Sequence, residues 1–266
     1  MADDRLRLGQ VELGSRLIHG TARFPSAEVL AQAISASGAE MITVAVRRFH
    51  LDGDQRSELE MLKLGDYVLL PNTAGATTAA EAVRLARLGR AAGLSDLVKV
   101  EVVGDPETLL PDPIATLEAT RALVEEGFTA LPYASDDVAL SLRLAEAGAA
   151  AVMPGAAPIG STLGVLNPHN LRAIIERCPV PVIVDAGLGS PADAVRVMEW
   201  GAAGVLINTG IAKAGDPAAM ARAFGDGVRV GRAAFLAGPA GDRLPSGFGA
   251  SSPSSGLPAP LVTTRA

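Results

Sequence analysis

Eight short apolar runs alternate with longer, alanine-rich amphipathic segments, and no break in composition interrupts them across residues 1–238. Aromatic side chains make up only 3% of the chain, so the core falls to Ala, Val, Leu and Ile, which suit close packing of helices on a sheet. Continuously apolar strands fit a parallel sheet covered on its outside by helices. Together these observations predict an α/β fold. The count of eight strand–helix units favours closure into a (β/α)8 TIM barrel over an open doubly wound sheet. Residues 1–238 are expected to form this one catalytic-size domain.

Arg16–Gly20 opens the series with a short strand, followed by a helix from about Ala27 to Ser37. The segment Gly9–Gly14 before it is expected to form an N-terminal hairpin or lid. Met41–Val46 and Tyr67–Leu70 are the next strands. Thr78–Ala92 reads as a helix because Ala79, Ala82, Val83 and Leu85 recur near helical spacing. Leu97–Val102 is a strongly apolar strand, and Pro113–Glu126 the helix after it. Thr129–Leu131, the helix Asp136–Ala147, the strand Ala149–Met153 and the helix Asn170–Arg177 continue the pattern. Val180–Val184 and Gly204–Ile207 supply the last two strands, with helices at Pro191–Trp200 and Pro217–Leu236, the latter expected to break near Gly225. Asp185, Ser190 and Asp216 precede turns or helices where their side chains can accept backbone N–H bonds. Residues 239–266 change character: five prolines, four glycines and five serines make up half of the segment. It is expected to be a loosely ordered tail, with a flap over an active site as the functional alternative.

Composition excludes several classes. Cys178 is the only cysteine, so no intrachain disulfide scaffold is possible and a reducing, cytoplasmic compartment is expected. With 23 basic and 29 acidic residues the net charge is −6, and no concentrated basic patch argues for nucleic acid. Met1–Gln10 lacks the apolar stretch of a secretory signal, and no run reaches the roughly 18 apolar residues of a membrane span.

The most informative segment is Leu97-Val98-Lys99-Val100-Glu101-Val102. Strand alternation puts Leu97, Lys99 and Glu101 on one face and the three valines on the other. If the valines face the helices, Lys99 and Glu101 point into the barrel. A charged amine is costly there without a partner or a task. Desolvation lowers a lysine's pKa and frees its amine to attack a ketone, while Glu101 favours the ammonium form and can shuttle protons. Two readings follow: a packed ion pair, or imine chemistry. Asp185 ends the apolar run Val180–Val184, at the strand end where barrel enzymes collect catalytic groups; it can cap the next helix, exchange protons, or both.

Three turns carry phosphate signals: Pro158-Ile159-Gly160-Ser161, Ala186-Gly187 and Ile207-Asn208-Thr209-Gly210. Glycine lets a phosphate approach backbone N–H groups, and the last two turns follow strands seven and eight, the usual phosphate position in such barrels. Elsewhere the signals are bland. His19, His50 and His169 lack metal-ligand spacing and read as surface or hydrogen-bonding residues. Cys178 reads as a small buried hydrophobe, Asp136-Asp137 as a helix start, and Arg47-Arg48 as a solvated or lid-pairing pair that can also reach phosphate. No P-loop or dinucleotide glycine motif occurs in context, and no cofactor or metal is expected.

Ordered along the chain, TVAVRR (Thr43–Arg48), LPNTAG (Leu70–Gly75), LVKVEVVGDP (Leu97–Pro106), LPDP (Leu110–Pro113), APIGS (Ala157–Ser161), VIVDAGLG (Val182–Gly189) and VLINT (Val205–Thr209) resemble bacterial thiazole synthases of thiamine biosynthesis, as does the late Ala250–Pro253. The chain departs from that family at Ala22, Ala76, Gly210 and Pro154-Gly155-Ala156, none of which removes the lysine, the acids or the phosphate turns. The resemblance implies a (β/α)8 barrel that forms thiazole phosphate from 1-deoxy-D-xylulose 5-phosphate, dehydroglycine and sulfur from a small ubiquitin-like carrier with a C-terminal thiocarboxylate. By the same resemblance, Lys99 forms an imine with the sugar ketone and Glu101 and Asp185 transfer protons. Gly160, Ala186, Gly187, Asn208 and Thr209 bind the sugar phosphate. A homo-oligomer, dimer or tetramer, is implied as well. The residues themselves also permit another imine-forming sugar-phosphate lyase or aldolase, or a non-catalytic barrel in which Lys99 only packs.

Overall fold

The computed structural model of the protein describes residues 4–49 and 64–238. A hairpin of β1 (Leu6–Leu8) and β2 (Val11–Leu13) precedes the barrel strands β3 (Leu17–His19), β4 (Met41–Ala45), β5 (Val68–Asn72), β6 (Leu97–Val100), β7 (Thr129–Ala134), β8 (Met153–Pro154), β9 (Ile183–Val184) and β10 (Gly204–Ile207). Around them run α1 (Ala27–Ser37), α2 (Val46–Phe49), α3 (Ala79–Ala91), α4 (Pro113–Glu125), α5 (Val138–Glu146), α6 (Pro168–Arg177), α7 (Pro191–Glu199), α8 (Thr209–Ala212) and α9 (Pro217–Ala237). The sheet order is β8-β7-β6-β5-β4-β3-β10-β9, all parallel. Parallel bridges Val152↔Val182 and Gly155↔Asp185 join its two ends, so the barrel closes as expected. The C-terminal segment 239–266 and His50 lie outside the described residues. No helix among those described is long and apolar enough to cross a membrane.

Alternation divides the core into two layers. Ile18, Met41, Leu70, Leu97, Leu131, Met153, Ile183 and Leu206 fill the barrel interior. Val98, Val100, Val205 and Ile207 point outward, into the layers beneath the helices. The hairpin contributes Leu6, Leu8 and Leu13 to the interior cluster and covers the N-terminal ends of the strands, where the Gly14 N–H donates to Glu40 Oε2. It is a hairpin, as the sequence suggested, but a plug at the end remote from the strand C-termini and not a lid. Burying each such leucine stabilises the fold by about 1.5–3 kcal/mol.

The helices start where side chains replace missing backbone partners. Ser26, Thr78, Asp112, Asp137, Asn167 and Asp216 each accept an N–H in the first turn, and prolines open α4, α6, α7 and α9. Some boundaries differ from the sequence reading. Strands β5 and β7 run on past prolines, with Val44 opposite Pro71 and Val100 opposite Pro132, because proline's extended backbone fits a strand even without its N–H. β9 is shorter than Val180–Val184, since Pro181 cannot donate to the ladder. Helix α9 does not break at Gly225 and continues for 21 residues. A Cβ at Gly225 would lie 2.4 Å from the Ser37 carbonyl oxygen, and one at Gly231 2.5 Å from that of Val195. The glycines let α9 lie close on α1 and α7, and that packing offsets glycine's intrinsic helix cost of about 1 kcal/mol.

Candidate active site

Lys99 stands near the C-terminal end of β6, on the interior face that also carries Leu97. Its strand neighbours are Asn72 on β5 and Leu131 on β7. Only 5% of Lys99 is exposed, with 9% of Glu101 and 3% of Asp185, so three formal charges share a nearly dry space. Lys99 Nζ lies 2.5 Å from Asp185 Oδ2 and 3.2 Å from Glu101 Oε1. Burial pulls the amine's pKa down, but the two carboxylates, Asp185 foremost, reverse this and hold it above the ordinary lysine range. The resting amine is therefore an ammonium, contrary to the lowered pKa that desolvation alone would give. The partner that decides this is Asp185, from β9 across the ring.

Each acid is positioned by its backbone. The Glu101 N–H donates to Thr73 Oγ1, and the Thr73 hydroxyl donates back to the Glu101 carbonyl, both at 2.8 Å. Asp185 Oδ1 accepts the Ala186 N–H at 2.7 Å, leaving Oδ2 for Lys99. Asp185 thus orients toward the lysine rather than capping a helix. Tyr133, which sequence reading passed over, places its ring centroid 5.5 Å from Lys99 Nζ; burial and then the Asp185 charge push its phenol well up, so it stays neutral. Its presence follows from the extension of β7 past Pro132.

Beside these groups the three glycine turns converge. Lys99, Glu101, Gly160, Asp185, Ala186, Gly187, Asn208 and Thr209 all line one open cleft of about 550 Å³. Ala186 and Gly187 both adopt left-handed backbone, with φ of 50° and 78°. The strain at Ala186 and the glycine after it turn the chain sharply at the cleft wall. A Cβ on Gly187 would lie 2.4 Å from the Ala157 nitrogen, so the turn after β9 can pack on the turn after β8 only with glycine there. Asn208 Oδ1 accepts the Ala22 N–H at 3.1 Å, tying the turn after β10 to the loop after β3. Gly210 packs against the Leu188 carbonyl, which a Cβ would approach to 2.9 Å. Ser161 Oγ is buried with no hydrogen-bond partner among the described residues. Together these turns make a polar, backbone-rich wall able to take an oxyanion.

Of the other residues singled out, Asp137 caps α5, Cys178 is half-buried against an outer apolar cluster, and His169 begins α6. Arg47 lines the cleft, whereas nothing is described of the Arg48 side chain. His19 is not at the surface: it is fully buried, with Nδ1 2.6 Å from the Gly20 carbonyl oxygen, its ring against Phe24 and Nε2 unpaired among the described residues. Burial lowers its pKa from 6.5 to about 4. Between those values the unfolded chain binds a proton that the folded one refuses, so His19 withdraws stability as pH falls from 6.5 toward 4. We expect up to about 3 kcal/mol of acid destabilisation from this residue. Urea unfolding of the parent and of His19→Gln at pH 7 and pH 5 checks it; equal losses in both proteins would refute the assignment.

The chain is similar to known proteins over most of its length. The family model described as thiazole biosynthesis protein ThiG matches residues 7–253. A thiazole synthase of Geobacillus thermodenitrificans (strain NG80-2) is 54% identical over 255 residues, which are 95% of this chain and 98% of that protein. One from Geobacillus sp. (strain WCH70) is 57% identical over 234 residues, 88% of this chain and 92% of its own. Among solved structures, the Amycolatopsis orientalis BexX/CysO complex superposes with a TM-score of 0.80 at 32% identity, covering 89% of this chain and 97% of that one.

Proposed function

The chain belongs to the ThiG family of thiazole biosynthesis proteins and is an enzyme with thiazole synthase activity, forming thiazole phosphate by sulfur transfer; from that premise we propose that Lys99 forms an imine with the ketone of 1-deoxy-D-xylulose 5-phosphate, whose phosphate rests on Gly160, Ala186, Gly187, Asn208 and Thr209. The observation that carries this reading is a single buried amine, ion-paired to two acids, at the floor of a cleft whose wall is an oxyanion cradle.

The chemistry follows from the charges. An ammonium cannot attack a carbonyl, so Lys99 first gives its proton to Asp185, the nearer acid. The neutral amine adds to the ketone carbon, and the protonated acid returns a proton to the hydroxyl that leaves as water. The resulting iminium cation withdraws electrons from the adjacent C–H, whose proton a carboxylate of the pair, Asp185 or Glu101, accepts. Tautomerisation then presents an activated carbon to the sulfur nucleophile. Phosphate contacts at the far side of the cleft hold that carbon beside Lys99 and supply orientation. Sulfur comes from the C-terminal thiocarboxylate of a small carrier protein, a reading supported by the similarity to BexX, which was solved in complex with CysO. Dehydroglycine supplies carbon and nitrogen for ring closure with loss of water.

The test is borohydride trapping followed by peptide mass spectrometry. With 1-deoxy-D-xylulose 5-phosphate alone we expect one reduced sugar-phosphate adduct, on Lys99. Modification of a different lysine instead, or no adduct at saturating sugar phosphate, would defeat the imine assignment.

A further inference from the structure

The charged groups of the cleft do not all serve the lysine. Lys99, Glu101 and Asp185 satisfy one another, whereas Arg23 and Arg47 line the same cleft with no acidic partner among the described residues. Arg23 follows Ala22, whose N–H binds Asn208, and so stands on the phosphate side. Arg47 does not. It follows β4, and its guanidinium lies on the backbone of Gly75, after β5: a Cβ there would sit 1.9 Å from Nη1 and 2.7 Å from Cζ. Gly75 has φ +90°, so its turn both requires glycine and provides the seat.

Position within the ring gives this arginine its meaning. In the closed order, β4 lies four strands from β8 and β5 four from β9, the strands that precede the turns of Gly160 and Gly187. Arg47 therefore stands across the ring from the turns of Gly160 and Gly187, and Lys99, paired in register with Asn72 of β5, stands between them. The cleft is built for two anions with an imine in the middle. One wall offers backbone donors suited to a phosphate. The other offers a planar guanidinium fork, which matches a carboxylate through two parallel hydrogen bonds.

We propose that Arg47, seated on Gly75, binds the carboxylate of the small nitrogen-bearing co-substrate and turns its nitrogen toward the carbon held by Lys99. The proposal rests on the imine reading above and adds to it a residue and a binding mode for the second small substrate. Carboxylate and phosphate then span the cleft on opposite sides of the new ring, so a ring-closed product bearing both anions is held at both ends.

The experiment uses the full chain with thiocarboxylated carrier and dehydroglycine generated in situ from glycine, comparing the parent with Arg47→Ala and Arg47→Lys. We expect the co-substrate KM to rise by about 10- to 100-fold in Arg47→Ala and less in Arg47→Lys. The KM values for the sugar phosphate and the carrier, and the yield of the Lys99 adduct from sugar phosphate alone, should stay within about twofold of the parent. Oxamate, a stable small carboxylate, should bind the resting parent by calorimetry and lose affinity in Arg47→Ala by the same factor as the KM. Unchanged oxamate affinity and co-substrate KM would overturn the proposal. So would a lost Lys99 adduct, which would place Arg47 with the sugar phosphate, or a rise confined to the carrier's KM, which would place it with the sulfur donor. Failure of the parent itself to form the Lys99 adduct would count against the imine reading alone, since oxamate binding needs no imine.

Discussion

Lys99→Ala is expected to lower turnover by at least about 10³-fold, with the borohydride adduct abolished. No other amine can take over, because the groups around Nζ are two carboxylates and a phenol. Orientation by the phosphate cradle would survive, so sugar-phosphate binding should persist while kcat collapses. The variant also exposes what the ion pair does for the fold. Removing the ammonium leaves Asp185 and Glu101 buried without their cation, and breaking a buried pair in this way costs about 3–5 kcal/mol. Thermal melts of the parent and the variant at neutral pH would show that loss. In the parent the ion pair's contribution is lost only at the alkaline end. Its raised lysine contributes stability that is fully present below the unfolded value of 10.5 and is lost only as pH rises through the folded value. A Lys99→Ala protein retaining turnover within tenfold of the parent would leave the lysine a packing residue.

Asp185→Asn separates two consequences of one contact. The amide keeps the shape but can neither hold the ammonium nor carry a proton. Without the carboxylate 2.5 Å away, the principal group raising the lysine's pKa is gone, while burial still lowers it. Neutral amine becomes more abundant, so the pH at which adduct formation reaches half its maximum should move to lower values. Turnover should nevertheless drop by about 10²- to 10⁴-fold, because the proton needed to expel water from the carbinolamine has lost its carrier. Single-turnover trapping against pH, alongside steady-state kcat, measures both. If the half-maximal pH stays in place while kcat falls, Asp185 does not govern the lysine's ionisation; if kcat is unchanged, it does not carry the proton. Glu101→Gln should shift the same curve less, since that carboxylate lies 3.2 Å from Nζ.

The path from sequence to site was legible unevenly. Alternation in Leu97–Val102 was enough to put Lys99 and Glu101 on the barrel face, because period-two geometry is a property of any strand with one face against helices. The order of the glycine turns was enough to bring Gly160, Gly187 and Asn208 to one rim, since all parallel strands of a closed barrel end on the same side. The break expected at Gly225 was misjudged for the same local reason: glycine's weak helix preference is visible in the sequence, while the carbonyl of Ser37 pressing on it is not. Of the two readings left open for His19, surface or hydrogen-bonding, the structure selects the second, since polarity alone does not reveal that the ring is buried against the Gly20 carbonyl.

The one-dimensional pattern by itself determined the strand–helix alternation, the closure count, the face of Lys99 and the position of the three glycine turns, all of which depend on neighbours within a few residues or on a regular repeat. Only the tertiary structure decided that Asp185 is the lysine's nearest counter-ion, that this amine rests charged, that Tyr133 stands beside it and that Arg47 is seated on Gly75. Those facts depend on distances across the ring between residues 28 to 86 positions apart in the chain, and Coulomb and desolvation energies follow those distances, not spacing along the sequence.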